Sequence, residues 1–314
     1  MFVVGGESLV DLVPAKPGPA AERQPIAGGS PFNCAIALAK LGNQTGFLCP
    51  ISTDEFGDML LAPLAEAGVE VLIEERVDAP TTKAIVTFND KMQASYEFER
   101  GAERAFTKDG LVAALPSGVT ALQLGGFVPI EPEDATAWLA VAAKAIAGGA
   151  TLSMDINVRP LLVKNEAVYR SQLSQLLDLA HVIKLSDEDH AWLEPTLSLE
   201  DYAATLLARP NCELVVITLG EAGSLAFTDN AHAKAPIYSP PVFGDTVGAG
   251  DSLMAGTLSW LHERGLLKVG KLAGLDEAAL GEMLTFGAVV AGINCGRKGC
   301  QPPTRAEVDA VLGK

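Results

Sequence analysis

Short apolar runs that end in glycine or a polar residue recur along this 314-residue chain. Each run is typical of a strand buried on both faces of a sheet. The clearest are Phe2–Gly6, Ala121–Gly126, Thr151–Asp155, His181–Lys184 and Leu214–Thr218. Segments with helical periodicity lie between them, at Asn33–Leu41, Pro132–Ala147, Ala167–Leu179 and Leu199–Ala208. Strands that alternate with helices predict βαβ units and an α/β fold with a parallel sheet.

Two stretches interrupt this alternation. Leu12–Ile26 is rich in proline, alanine and glycine, whereas Val69–Phe106 alternates apolar and polar residues around a predicted hairpin turn at Asn89–Lys91. Such alternation indicates strands with one face in water. We therefore expect one domain over residues 1–314, with an inserted β-sheet built from segments about 12–27 and 69–106. This sheet would serve as a lid or a dimer contact.

The composition narrows the classes of partner. The formal charge of −16 argues against a general nucleic-acid binder or a binder of anionic membranes. The five cysteines form no CxxC pair, and the N-terminus has no basic region that would precede a signal peptide. We therefore expect a cytoplasmic protein with reduced thiols, no nucleic-acid partner and no membrane partner.

The segment Gly244–Asp251 reads Gly-Asp-Thr-Val-Gly-Ala-Gly-Asp and leads into a helix-compatible stretch. Small residues at a helix start let backbone N–H groups approach an anion, and a carboxylate there suits a base that deprotonates a nucleophile. This pattern indicates phosphoryl transfer. A plain helix start with Asp251 near the dipole is the structural alternative. A dinucleotide fingerprint is disfavoured because Leu253 stands where its third glycine belongs, and the chain has no Walker A motif.

A second segment, Gly28–Gly42, has a glycine pair, then Asn33, then a long apolar helix. Asn33 would cap the helix or bind hydroxyl groups of a ligand, and the glycines would let the backbone pack against that ligand. Asp11 lies between the first strand and Pro14, and by itself it is typical of an exposed turn acid.

Together these segments resemble the two signatures of the ribokinase-type (PfkB) carbohydrate kinases, and most closely their fructokinase branch. The first signature is matched by Gly28, Gly29, Asn33, Ala37, Leu41 and Gly42. The second is matched by Asp245, Thr246, Gly248, Ala249, Gly250, Asp251, Ala255 and Gly256. Leu253 replaces the usual phenylalanine of that second signature.

The resemblance implies a three-layer αβα sandwich with a β-lid, and transfer of the γ-phosphoryl group of ATP to the 6-hydroxyl of fructose. Asp251 would be the general base, and the Gly248, Ala249 and Gly250 N–H groups would form the anion hole. Arg159, in an Asp-x-Asn-x-Arg segment, would bind phosphate oxygens. The residues implied for the sugar are Asp11, Gly28, Gly29, Asn33, Arg100 and Asn157.

The resemblance also implies ATP, Mg²⁺ and K⁺ sites. The residues implied for ATP are Lys184, Ser186, Thr218, Gly220, Gly223, Gly248, Gly250 and Asn294. Asp189 would contact Mg²⁺, directly or through water, and Asp245 would contact a monovalent cation. Ser186 and Asp189 depart from the Asn-x-x-Glu motif common in the family. A homodimer through the lid is typical of many relatives.

Four other functions stay open from the sequence. A 2-keto-3-deoxygluconate kinase and a ribokinase are alternatives within the family. A non-catalytic sensor of sugar or nucleotide is disfavoured by the intact Gly-Ala-Gly-Asp motif, and a dinucleotide-dependent oxidoreductase by the missing third glycine.

Overall fold

The computed structural model describes residues 1–14, 23–88 and 94–313, so the predicted turn at 89–91 lies outside it. The strands are β1 Phe2–Gly5, β2 Leu9–Pro14, β3 Arg23–Gly28, β4 Thr45–Leu48, β5 Glu70–Val71, β6 Lys83–Phe88, β7 Ala94–Glu99, β8 Ala121–Gly125, β9 Thr151–Asp155, β10 Val182–Ser186, β11 Leu214–Thr218, β12 Ser224–Phe227 and β13 His232–Ala235. The helices are α1 Ser30–Lys40, α2 Glu55–Ala67, α3 Lys108–Ala114, α4 Pro132–Ala147, α5 Glu166–Leu179, α6 Asp187–Leu193, α7 Leu199–Leu207, α8 Ala249–Glu263, α9 Glu277–Cys295 and α10 Arg305–Leu312.

A nine-stranded sheet forms the centre of the described structure, in the order β13-β12-β11-β10-β9-β8-β1-β4-β5. The pairs from β5 across to β11 are parallel, and β12 and β13 are antiparallel. This arrangement confirms the mostly parallel sheet predicted from the apolar runs. Each predicted strand recurs within about two residues of its predicted bounds, because a strand buried on both faces is a nearly continuous apolar run whose ends are visible in the sequence.

Helices cover both faces of this sheet. One hydrophobic core joins the sheet to α1, α2, α8, α9 and α10, and the other joins it to α3 to α7. Alternate strand residues divide between the cores, as Val3 and Val4 of β1 illustrate. By length and composition α9 could cross a membrane, but it packs against α8, β12 and β13 inside the fold. The molecule is therefore the predicted three-layer αβα sandwich.

The lid is a separate four-stranded sheet in the order β3-β2-β6-β7. Its bounds correct the prediction at two points. Residues 69–72 belong to the main sheet, since β5 pairs with β4 and Leu72 N donates to Phe47 O over 3.0 Å. The lid also begins earlier than residue 12, because β2 starts at Leu9. A two-residue strand such as β5 leaves no periodic signal in the sequence.

The chain changes direction between the neighbouring strands β1 and β8. From β1 the sheet continues through β4 and β5 on one side, whereas β8 to β11 continue on the other. In open α/β sheets, ligands bind beyond the carboxyl ends of the strands at such a switch point. The loops after β1, β8, β9 and β10 are therefore where a site is expected.

Candidate active site

The start of α8 presents unsatisfied backbone N–H groups. Gly248 caps the helix with a φ of 73°, a left-handed conformation suited to glycine. No side chain caps this helix start, and among the described residues the N–H groups of Gly250 and Asp251 have no hydrogen-bond acceptor. Free N–H groups and the positive end of the helix dipole suit an anion. Of the predicted anion hole, the Gly248 and Gly250 N–H groups have no acceptor among the described residues, whereas Ala249 N donates to Thr246 O over 3.1 Å. The binding of a phosphoryl group there stays a prediction.

Asp251 connects the two sequence motifs. Its Oδ1 accepts a 2.6 Å hydrogen bond from Ser30 Oγ, and its Oδ2 accepts a 2.9 Å bond from Asn33 Nδ2. The carboxyl group is buried, and this burial raises its pKa, although the bonds from Ser30 and Asn33 lower it. Asn33 and Asp251 therefore lie together, as the two signatures imply. A carboxylate with a raised pKa is a better proton acceptor than an exposed one.

The sequence alone does not single out Ser30 and Glu7 as members of the site. The buried Glu7 accepts hydrogen bonds from Ser30 N (3.3 Å) and Phe127 N (2.9 Å), so it ties α1 to the loop after β8. Burial raises its pKa to about 7, although backbone hydrogen bonds and Arg159 lower it. The only sequence signal for Ser30 was its position directly after the glycine pair.

The predicted sugar residues Asp11, Gly28 and Gly29 lie at the junction of the lid and α1. A Cβ on Gly28 would lie 2.8 Å from Asp11 Oδ2, so a larger residue there would displace the Asp11 carboxylate. Gly29 has a φ of 110°, and its carbonyl accepts the N–H of Asn33. Burial raises the pKa of Asp11 to about 6, and Arg159 opposes this shift.

Arg159 supplies positive charge to the same cleft. It lowers the pKa of Glu7, Asp11 and Asp251, which places each of these three carboxyl groups within electrostatic reach of Arg159. In the described part of the chain it has no carboxylate ion-pair partner and donates only to Asn157 and Val158. Asn157 adopts a φ of 43°, which asparagine tolerates better than most residues. A half-buried guanidinium without a carboxylate is well suited to bind phosphate oxygens.

Lys184 lies beneath the start of α8. Its Nζ donates to both oxygens of Asp155, at 2.9 and 2.7 Å, and both side chains are buried. Burial opposes the charge on Lys184, but Asp155 outweighs that cost, so the pKa of the amine is raised. A Cβ on Gly250 would lie 3.3 Å from Lys184 Nζ. The Lys184 ammonium group therefore places positive charge next to the predicted anion hole. Its direct contact with ATP stays a prediction.

The ends of β10 and β11 lie side by side, with Ser186 paired to Thr218. Ser186 and Asp189 form a capping box at the start of α6, and Asp189 Oδ1 also accepts a 2.7 Å bond from Val158 N. Both carboxylate oxygens of Asp189 therefore bind protein groups in this structure. Its contact with Mg²⁺ and the contacts of Ser186 and Thr218 with ATP stay predictions.

The turn after β11 needs two glycines. Gly220 has a φ of 53° with open space around it. Gly223 has a φ of 93°, and a Cβ added there would overlap with the Ala235 carbonyl. Gly220 is exposed, whereas Gly223 is buried. Gly220 is thus the accessible member of the predicted nucleotide loop, and Gly223 shapes the turn.

The structure corrects two of the predicted direct contacts. Asn294 is completely buried, donates 2.7 Å to Val247 O and accepts 2.8 Å from Gln301 N. It positions the backbone segment before the anion hole rather than facing ATP. Arg100 pairs with Glu103 (2.7 Å) and Asp134 (3.3 Å), so it joins the end of the lid to α4 rather than standing free for a sugar.

Asp245 orders the loops on the outer side of α8. Its Oδ1 accepts 2.9 Å from Val247 N, and its Oδ2 accepts 2.7 Å from Gly299 N. In the described ranges no group of three or more His, Cys, Asp or Glu side chains could hold a metal ion. A cation at this site would therefore need oxygen ligands from the backbone, a nucleotide or water.

Comparison with known proteins identifies the family. Residues 1–307 match the model of the pfkB family carbohydrate kinases. The chain belongs to this family. Fructokinase-1 of Zea mays is 31% identical over 325 residues, which cover 100% of this chain and 98% of the maize protein.

Solved structures agree in fold. The ATP-bound fructokinase of Xylella fastidiosa is 26% identical with a TM-score of 0.85, covering 99% of this chain and 98% of that one. A fructokinase double mutant of Vibrio cholerae, solved with fructose, ADP and a potassium ion, is 22% identical with a TM-score of 0.81, covering 99% and 97% of the two chains. This pfkB-family chain therefore has the ribokinase-like fold over essentially its whole length.

Proposed function

We propose that this carbohydrate kinase transfers the γ-phosphoryl group of ATP to the 6-hydroxyl of fructose. The observation that carries the proposal is the uncapped start of α8 beside the buried Asp251. The fructokinase names of the relatives at about 30% identity over the whole chain favour fructose as the acceptor.

The geometry supports a proton transfer from the sugar to Asp251. As the sugar oxygen attacks the γ-phosphorus, the carboxylate accepts the hydroxyl proton, and the bond between the γ-phosphorus and the β-phosphate oxygen breaks to release ADP. The N–H groups that have no acceptor at the start of α8, among them those of Gly248 and Gly250, would stabilise the charge on the moving phosphoryl group. A base positioned in this way typically contributes about 10²–10⁴-fold to the rate.

Arg159 and the lid would complete the site. The guanidinium would neutralise phosphate charge, since no carboxylate in the described residues pairs with it. Asp11, on lid strand β2, would hold sugar hydroxyls opposite Asn33. A lid above the sugar would exclude water, which competes with it as an acceptor.

The side chains available as ligands indicate how Mg²⁺ would bind. Because the described residues offer no three-ligand cluster, we propose that Mg²⁺ arrives with the nucleotide and keeps several of its waters. When bound, it would neutralise phosphate charge. We further propose a potassium ion near Asp245, and a homodimer formed through the lid. The potassium site is tested by replacing K⁺ with Na⁺ in the ADP-release assay. The homodimer is tested by analytical ultracentrifugation.

The function is tested by measuring ADP release with a panel of acceptors. Fructose, ribose, 2-keto-3-deoxygluconate, glucose and adenosine are compared at equal concentration, with and without Mg²⁺. We expect the highest kcat/KM for fructose, dependence on Mg²⁺, and fructose 6-phosphate as the product by NMR. If another acceptor gave a higher kcat/KM, that acceptor would replace fructose as the proposed substrate. If no acceptor led to ADP release, the proposed kinase activity would be refuted.

A further inference from the structure

We propose that Ser30 is a positioning residue for the reaction, whose hydroxyl holds Asp251 ionised and oriented as the general base. The inference rests on the proposed kinase function. Ser30 Oγ lies 2.6 Å from Asp251 Oδ1, the shortest hydrogen bond to this carboxylate among the described residues.

The backbone at Ser30 is held by three independent features. Gly29 precedes it with a φ of 110°, which an L side chain rarely adopts. Pro31 follows it in the first turn of α1 and fixes its own φ. Glu7 Oε1 accepts the Ser30 N–H over 3.3 Å. The hydroxyl therefore reaches Asp251 from a fixed point rather than from a mobile loop.

One donor binds each oxygen of the carboxylate. Ser30 binds Oδ1 and Asn33 binds Oδ2, so the plane of the carboxyl group cannot rotate freely. An ionised carboxylate accepts about four hydrogen bonds in total. Lone pairs thus remain for a sugar hydroxyl, and the two donors determine the direction in which they point.

The charge balance around Asp251 explains why a hydroxyl is needed. The cations that face it are Lys184 from β10 and Arg159 from the loop after β9, and Lys184 is shared with Asp155. Asp155 adds negative charge, and the thiols of Cys34 and Cys300 lie close by. Burial favours the protonated form of Asp251, so each hydrogen bond to the ionised form helps to keep the base available.

The test compares Ser30→Ala, Ser30→Thr and Ser252→Ala. Ser252 is the neighbour of Asp251 on α8, is buried, and its hydroxyl has no partner in the described structure. Ser252→Ala is therefore a matched control that removes a buried hydroxyl without a bond to the base. Hydrogen bonds to charged groups contribute about 1.5–3 kcal/mol, which corresponds to about one to two pH units.

The first readout is the pH dependence of kcat/KM. Ser30→Ala should shift the acidic side of the pH profile to higher pH by about one to two units. The loss of kcat/KM should reach about ten- to a hundredfold on that acidic side and narrow as the pH rises. Ser30→Thr and Ser252→Ala should keep the wild-type profile. A uniform loss of rate at all pH values in Ser30→Ala would refute the proposal, because lost packing lowers activity without moving a titration.

The second readout does not require activity. A ¹³C NMR titration of the Asp carboxyl groups, with the Asp251 signal assigned from Asp251→Asn, should show a higher midpoint in Ser30→Ala than in wild type. Coincident titration curves would refute the role of Ser30 even if the enzyme is a kinase. Absence of ADP release by wild type would instead refute the proposed function and leave this titration to decide the role of Ser30.

Discussion

Gly248→Ala tests whether the backbone at the start of α8 is as tightly specified as the structure indicates. Gly248 has a φ of 73°, and a Cβ there would overlap with Cys300 Sγ and lie 2.9 Å from Cys300 Cβ. Left-handed backbone costs a non-glycine residue about 1–2 kcal/mol, and overpacking costs about 1–3 kcal/mol. The free energy of unfolding should therefore fall by about 2–5 kcal/mol.

The same substitution should lower the rate. Relief of the overlap moves the N–H groups away from the position of the phosphoryl group, and loss of one such donor typically costs about 10²–10³ in kcat. Urea unfolding measures the first effect, and steady-state ADP release measures the second. The KM for the sugar should change little, because the proposed sugar residues Asp11 and Asn33 lie on β2 and α1 rather than on α8.

Two further variants separate strain from overlap. Gly118 has a similar φ of 69°, and a Cβ added there would meet nothing within 4 Å. Gly118→Ala should therefore cost about 1–2 kcal/mol and leave kcat unchanged. Adding Cys300→Ala to Gly248→Ala removes the sulfur and should restore part of the stability and rate. Wild-type stability and kcat in Gly248→Ala would refute the reasoning.

Two other predictions concern buried charges. Lys184→Met should lower the free energy of unfolding, measured in urea, by about 3–5 kcal/mol, because it leaves the Asp155 carboxyl group buried without its cation. Adding Asp155→Asn to this variant should recover part of the loss. The native state holds the Glu7 proton more tightly than the unfolded chain does, because its pKa rises from 4.5 to about 7 on folding. The contribution of Glu7 to the free energy of unfolding should therefore fall by on the order of 3 kcal/mol as the pH rises from about 4.5 to 7. Glu7→Gln should remove that part of the pH dependence. An identical pH dependence of the free energy of unfolding in wild type and Glu7→Gln would contradict this role of Glu7.

The central sheet and the meeting of the two motifs could be predicted from the sequence. Strands buried on both faces produce apolar runs that stand out without an alignment, and Thr151–Asp155 and Leu214–Thr218 match their predicted bounds. Asn33 and Asp251 could be placed together only because both match family signatures. Composition and periodicity alone do not pair residues 218 positions apart.

The remaining features depend on tertiary contacts that leave no local pattern. Ser30 gains its role from a bond to a residue 221 positions away, and Glu7 from a bond to the loop after β8. Arg100 could be read as a sugar ligand because its acidic partner Asp134 lies 34 positions further along the chain. Asn294 carries a polar side chain, but only the fold reveals that both ends of its amide are used inside the protein.

The proposed mechanism depends most on Asp251 as the proton acceptor beside the anion hole. The direct measurement is a rapid-quench single turnover of bound ATP with saturating fructose, in wild type and in Asp251→Asn, together with ATP binding by calorimetry. We expect the phosphoryl-transfer rate to fall by about 10²–10⁴-fold in the variant while the affinity for ATP is unchanged. A variant that transfers the phosphoryl group at the wild-type rate would contradict this mechanism.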